Sequence, residues 1–415
     1  MSLSFTVLRL PSFRPLLLSR ALTTMALVAQ AVIVGWQIYS ITHDPFYLGL
    51  IGLTEAVPAI FCALFAGHIV DISRPYTVYM LCIGTHVLNT LMLAAVGGGF
   101  ITVTPDHLFY FIFIGVFISG LARSFLIPAS FSMVPKIVPR KDIPAASSWL
   151  MSGFQIAAVG GPMLAGLLYG GYGARGAWFL PVFLLLMAFA IMSFIRVPYM
   201  RRTDEKRENA VRSIIAGWTF ILKNQTLLSV MALDMFAVLF GGAVAMLPAF
   251  ADQVLHVGAE GLGLLRAAPG IGAIVMALFL AVRPMKKISA RLLLWVVAGF
   301  GVCMIGFGLS QSFWLSMFFL FLSGVFDSVS MITRGTLMQL LTPESMRGRV
   351  SAVNSMFIIS SNEIGAFESG VAARFLGLTP SVVLGGIVTL GVVGIAAWLT
   401  PLRKVTVDSE KETAV

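Results

Sequence analysis

Ser124–Trp149 reads SFLIPASFSMVPKIVPRKDIPAASSW and runs on into GGPMLAGLL at Gly160–Leu168. Roughly 205 residues later, Thr333–Ser355 reads TRGTLMQLLTPESMRGRVSAVNS and runs on into IGAFESGVA at Ile364–Ala372. Each copy follows the same order: an apolar helix end, a Pro-containing basic turn, a helix start of small residues, then a Gly-rich mid-helix. Such a repeat predicts a chain built from two similar halves, each carrying its own set of helices.

What surrounds the repeat fixes the solvent. Hydrophobic residues make up 58% of the 415 positions and charged residues 11%. Soluble domains carry about 25% charge, and a water-soluble fold has no means of hiding this much apolar surface. Long apolar runs recur along the whole sequence, as membrane-spanning helices require. The short alternating segments of a membrane β-barrel are missing. The fold class is therefore expected to be all-α and integral to the membrane, with twelve transmembrane helices in two pseudo-symmetric six-helix bundles.

Expected spans are roughly 16–41, 46–70, 76–97, 107–134, 144–169, 177–197, 226–250, 260–282, 290–309, 313–340, 350–376 and 380–401. They divide the chain into a bundle over 1–197, a connector over 198–225, a second bundle over 226–402 and a tail over 403–415. The connector holds RRTDEKRENAVR and then IIAGWTFILKN. Ile214, Trp218, Ile221 and Leu222 recur there at helical spacing, which predicts an amphipathic helix on the membrane surface.

A net charge of +10 suggests nucleic acid until it is located. Arg9 and Arg14, Arg74, Lys136 with Arg140 and Lys141, the run from Arg196 to Lys223, Arg283 with Lys286, Lys287 and Arg291, Arg347 with Arg349, and Arg403 with Lys404 all fall in alternate loops. Only Arg175 and Arg374 break the pattern. Loops rich in Lys and Arg stay in the cytoplasm, so both termini are expected there and no nucleic-acid partner is expected. Cys62, Cys82 and Cys303 lie inside apolar spans without paired spacing, which points to packing, not disulfides or zinc. The first span reads as retained, not as a cleaved leader.

Across nearly its whole length the sequence resembles the major facilitator superfamily. Within it, the match is to the branch of enterobactin exporters and macrolide-efflux or secretion proteins. GWQIYSITHDPFYLGLIGLTEAVP at Gly35–Pro58, GHIVD at Gly67–Asp71, the Ser124 stretch, GGPMLAG and TPESMRGRVSAVNS carry the likeness. The superfamily motif after the second span is G-x-x-x-D-R-x-x-R-[RK]. Gly67 and Asp71 keep their places, Ile72 and Pro75 replace expected residues, and Arg74 supplies the local positive charge. The resemblance implies that Asp71 meets the start of the eleventh span near Arg347 and Arg349, where a helix N-terminus favours an anion, and that this contact gates alternation. It also implies an antiporter-type Gly-Pro element at Gly161, Pro162 and Gly166, although Ala157 stands where the family has a further Gly. Tight helix packing is the plainer reading of the same residues.

Ionisable residues inside spans are the sharper signal, because each is costly in hydrocarbon without a partner or water. Glu55 lies about 13 Å into the second span at 1.5 Å per residue. Asp234 in the seventh span, Glu363 beside Asn362 in the eleventh, and Glu368 nearer its far end join it. The tenth span holds Asp327 and Arg334 on one face, about 10 Å apart along the axis, so each should find another partner. Arg123 in the fourth span and Arg20 in the first are the alternative: fixed cationic partners for the acids. The acids Glu55, Asp234, Asp327, Glu363 and Glu368 stand against Arg20, Arg123, Arg266 and Arg334. That near balance favours neither a strict cation nor a strict anion as cargo. His86 reads as a satisfied core histidine.

No nucleotide-binding loop, metal cluster or nucleophile–base motif is evident, so no cofactor and no enzyme activity are expected. The partners expected are a small-molecule substrate, a proton or other ion gradient, and the bilayer of a bacterial inner membrane, with the chain acting as a monomer. The resemblance implies export of a siderophore or an amphipathic drug-like compound. Uptake of an iron chelate or nutrient remains open, and a knockout that starves instead of accumulating the compound would favour it. A non-transporting receptor on the same scaffold would tolerate neutral replacement of the buried acids and place its function in the connector.

Overall fold

A computed structural model describes residues 5–195, 210–283, 287–403 and 406–408. A 3-10 turn at Phe5–Arg9 leads into helices α1 (Phe13–Thr42), α2 (Pro45–Ile72), α3 (Pro75–Gly97), α4 (Pro105–Ile137) and α5 (Ile143–Ser193). Then follow α6 (Ala210–Lys223), α7 (Gln225–Phe240), the single turn α8 (Leu247–Ala249) between a 3-10 and a π turn, and α9 (Gly258–Val282). The last long helices are α10 (Ala290–Leu309), α11 (Phe313–Leu341), α12 (Glu344–Leu376) and α13 (Leu378–Leu399). The expected all-α class holds. The sole departure among the described residues is a short ribbon, in which β1 (Lys287–Ser289) pairs antiparallel with β2 (Thr406–Asp408).

Punctuation in the sequence sets the helix starts. Proline occupies the first turn of α2, α3, α4 and α5, where its missing N–H leaves no bond unmade. Side chains of Asp44, Thr104 and Asn224 accept hydrogen bonds from the free N–H groups of Phe46, His107 and Leu227. Ten helices among the described residues are long and apolar enough to cross a membrane. One of these, α5, is two helices joined at Gly173, whose φ of 67° and ψ of −168° are open to glycine alone at low cost. The 33-residue α12 is not among the ten. Its Glu363, Glu368 and many Ser and Gly residues dilute its apolar character, so length alone marks it as a span.

The chain forms two compact units. Unit 1 gathers residues 1–47, 53–207 and 256–267; unit 2 gathers 48–52, 208–255 and 268–415. In unit 1, α5 lies along α1 and against α3, and α3 along α4. A core of Phe13, Leu16, Tyr79, Ile83, Met133 and Met192 fills one end. In unit 2, α10 packs on α11 and α13, and α12 on α7, α6 and α13. The connector helix α6 is only partly free for lipid. Ile221 is completely buried in a cluster with Leu227, Met231, Val350 and Val353, and Trp218 lies 5.2 Å from the Phe357 ring, while Leu222 stays exposed. The connector residues 198–209 lie outside the described residues.

Candidate functional site

In unit 1, α2 and α4 cross closely because Gly120 has no side chain. A Cβ there would fall 2.4 Å from the Glu55 carbonyl oxygen and 3.0 Å from the Pro58 ring. This approach lets Arg123, one turn beyond Gly120 on α4, donate from Nη1 to Glu55 Oε1 at 2.7 Å. The pair is not enclosed, its side chains being 48% and 24% exposed, and a charge-assisted hydrogen bond joins its two ends.

Unit 2 repeats that crossing between α9 and α11. A Cβ on Gly324 would fall 1.8 Å from the Pro269 carbonyl oxygen, and one on Gly272 2.0 Å from that of Phe321. Glu55 stands three residues before Pro58 and Arg123 three after Gly120; Arg266 stands three before Pro269 and Asp327 three after Gly324. The duplicated positions carry opposite charges in the two halves.

Two turns along α11 from Asp327, a second pair forms. Arg334 Nη1 binds Asp234 Oδ2 on α7, with side chains only 9% and 11% exposed. Asp234 and Asp327 both line a small, partly open pocket between α7, α10 and α11, together with Ser330. The expectation that Asp327 and Arg334 need other partners holds for Arg334, which reaches across to α7. Asp327 makes no ion pair or hydrogen bond among the described residues.

The other acids are spread along α12. Glu363 is half-buried, and its Oε2 lies 3.7 Å from where a side chain on Gly52 would begin. Asn362 is exposed and returns its amide to the Ile358 carbonyl at 2.9 Å. Glu368 is half-buried farther along the same helix. Of the expected cationic partners, Arg20 takes a ring instead of a carboxylate, its guanidinium 4.7 Å from the Phe131 centroid.

The Gly-Pro element works through its missing side chains. A Cβ on Gly161 would meet the Met25 carbonyl of α1 at 2.7 Å, and one on Gly166 would meet Gly263 Cα at 2.6 Å. In return, Gly263 sits under the Pro162 carbonyl. At the expected gate, Asp71 ends α2, but its side chain is outside the described residues. A side chain on Gly67 would meet nothing within 4 Å. Arg74 caps α3. Arg347 donates from Nε to the Thr342 carbonyl at 3.4 Å, and Arg349 Nη1 lies 3.5 Å from Met346 Sδ.

A polar column in unit 1 escaped the sequence reading. Gln30 of α1 donates to Ser119 of α4 at 3.3 Å and accepts from Thr90 of α3 at 2.6 Å, while Asn89 donates to Ser119 at 3.1 Å. His86 lies one turn before Asn89, fully buried, with neither ring nitrogen hydrogen-bonded; the expected satisfied histidine is not what the fold holds. Spacing on α3 (His86, Asn89 and Thr90 on one face) was the available signal.

Known proteins match the chain over nearly its whole length. The transmembrane secretion effector family model covers residues 2–414. The chain belongs to the transmembrane secretion effector family. Enterobactin exporter EntS from Citrobacter koseri is 26% identical to this chain over 384 residues, spanning 92% of it and 90% of the exporter. The Shigella boydii serotype 18 exporter is 25% identical over 357 residues, covering 86% and 84%. The nucleoside transporter NupG superposes with a TM-score of 0.69 at 14% identity, covering 93% of this chain and 98% of that one. A bacterial homologue of the iron transporter ferroportin in its inward-facing state does so at 0.68 and 15%, covering 95% and 100%. At such identities the likeness shows the fold alone; the family match, the exporter relatives and the ten long apolar helices make this chain a multi-pass membrane transporter.

Proposed function

We propose that the chain exports a small organic molecule, a siderophore or an amphipathic drug-like compound, from the bacterial cytoplasm by proton-coupled alternating access. The observation that carries this reading is the pair of ionic contacts between helices, the partly exposed Glu55–Arg123 and the buried Asp234–Arg334, in a membrane-spanning chain. Charges held at that depth are expensive and mark substrate and proton paths. Kinship to enterobactin exporters supports export over uptake and a siderophore as the cargo to test first.

In this reading the chain has twelve spans, α12 and the two parts of α5 included, and both termini face the cytoplasm. It works as a monomer in the inner membrane. Glu55, Asp234, Asp327, Glu363 and Glu368 are the acids that serve proton coupling or substrate binding. Arg123, Arg334 and Asn362 hold charge balance and orient cargo. The end of α2 (Gly67, Asp71, Arg74) and the start of α12 (Arg347, Arg349) form the gate. Gly161, Pro162 and Gly166 keep the helices close enough to move as one body.

Inside-out vesicles from cells that make the chain provide the test, because export then fills the lumen. Radiolabelled enterobactin should accumulate when the lumen is acidified and should stop when a protonophore collapses the gradient. Asp234→Asn and Glu363→Gln should each lower the initial rate at least tenfold. Accumulation that ignores the gradient, or survives both substitutions, would refute the coupling.

A further inference from the structure

Arg20 stands seven residues into α1, about 10 Å along it at 1.5 Å per residue. Its guanidinium lies over the Phe131 ring of α4, 4.7 Å from the centroid. A ring takes the face of a guanidinium and leaves the N–H groups along its edge free to donate. No carboxylate pairs with Arg20 among the described residues, and its buried Nη1 has no hydrogen-bond partner.

Two further donors meet Arg20 in the same part of unit 1. Tyr79 of α3 interacts with Ser19, Arg20 and Thr23 of α1. Tyr79 and Thr23 are each 1% exposed, and neither hydroxyl completes a hydrogen bond. Ser19 has already given its own proton to the Ala188 carbonyl of α5 at 3.1 Å. The neighbours that share a core with Tyr79 are apolar, Leu16, Ile83, Leu126 and Met133 among them. One positive charge therefore stands against no negative one, in surroundings that solvate charge poorly. Buried polar groups without a partner are rare in folded chains. Three on two adjoining helices call for an acceptor that the chain itself does not provide.

Charge and size select that acceptor. A phosphate monoester carries about −1.5 to −2 at neutral pH, more than one guanidinium balances. A lipid headgroup is too bulky to reach hydroxyls buried as deeply as those of Tyr79 and Thr23. A halide carries one charge and accepts from several donors at once. Seating it requires the Arg20 side chain, held by a ring alone, to swing aside. We propose that Arg20, Thr23 and Tyr79 form a binding site for one small monovalent anion, a halide, inside unit 1. Arg20 supplies the charge, and the two hydroxyls donate to the same ion, which ties α1 to α3. The site is independent of the direction of transport and of the coupling ion.

Thermal unfolding of the purified chain in detergent tests this, with chloride as the probe and bulky gluconate holding the ionic strength constant. Chloride should raise the unfolding midpoint by about 2–4 °C and saturate as a single site does. Tyr79→Phe and Thr23→Val should each weaken the apparent chloride affinity by about fivefold or more. Neither should unfold earlier than wild type in gluconate, because each removes a buried hydroxyl that has no partner there. Arg20→Gln should abolish the response; if that variant fails to fold, the two hydroxyl variants decide the matter alone. No chloride-specific rise in wild type would overturn the assignment. So would an equal response in Tyr79→Phe or Arg20→Gln, since chloride would then act elsewhere. A rise that requires phosphatidylglycerol instead of chloride, and vanishes in Tyr79→Phe, would give the site to a lipid headgroup and overturn it too.

Discussion

Arg20, Arg123 and Arg334 each find a partner on a different helix. Arg334 illustrates why sequence stops short of that. Its spacing from Asp327 puts both on one face of α11, and the rise per residue keeps them about 10 Å apart. The partner it found, Asp234, is 100 positions earlier in the sequence, and no periodicity reports contacts between helices. Removing one end of such a pair leaves an uncompensated charge, worth about 3–5 kcal/mol. Asp234→Asn and Arg334→Gln should each lower the thermal unfolding temperature in detergent markedly. The double variant should recover most of that loss, because two neutral residues strand no charge. Additive losses in the double variant would mean the two side chains do not stabilise one another. Arg20 was legible as an intramembrane cation, yet its partner, the face of Phe131, lies on α4 and carries no charge to be matched.

Glycine placement decides how closely elements approach, and the structure separates glycines that carry a crossing from those that do not. Gly324 has the Pro269 carbonyl 1.8 Å from its would-be Cβ, whereas Gly335, three turns along the same helix, has nothing within 4 Å. Gly324→Val should push α9 off α11 and cost about 1–3 kcal/mol or more, read as a lower unfolding temperature and lower membrane yield. Gly335→Ala should instead stabilise by about 0.5–1 kcal/mol through helix propensity alone. Equal effects at the two positions would show that the α9–α11 crossing is not the tight one. Most elements were legible: apolar runs bounded by Pro and Asn or Asp gave the helices, and the break at Gly173 falls in the gap left between the expected spans 144–169 and 177–197. The resting place of α6 was not, because an amphipathic stripe suits lipid and protein equally. Val350 and Val353 of α12 cover part of it, a partner distant in sequence.

At the scale of the molecule, the duplication read from Pro-containing turns recurs in the packing, where Gly120 with Pro58 and Gly324 with Pro269 make the same kind of crossing. Charge is swapped between the copies, Glu and Arg in one, Arg and Asp in the other. A duplicated scaffold whose two sites have diverged in sign can give one half to ion coupling and leave the other to cargo, and on that division Glu55→Gln should weaken cargo handling more than proton binding. Parallel measurements of enterobactin binding and of proton uptake in Glu55→Gln would show it, and lost proton uptake with unchanged enterobactin binding would reverse the roles. The most direct test of coupled export uses proteoliposomes loaded with enterobactin and a trapped pH dye. Proton–cargo exchange predicts that the lumen acidifies in step with enterobactin leaving, and that Asp327→Asn abolishes the acidification; enterobactin leaving while luminal pH stays constant would contradict it.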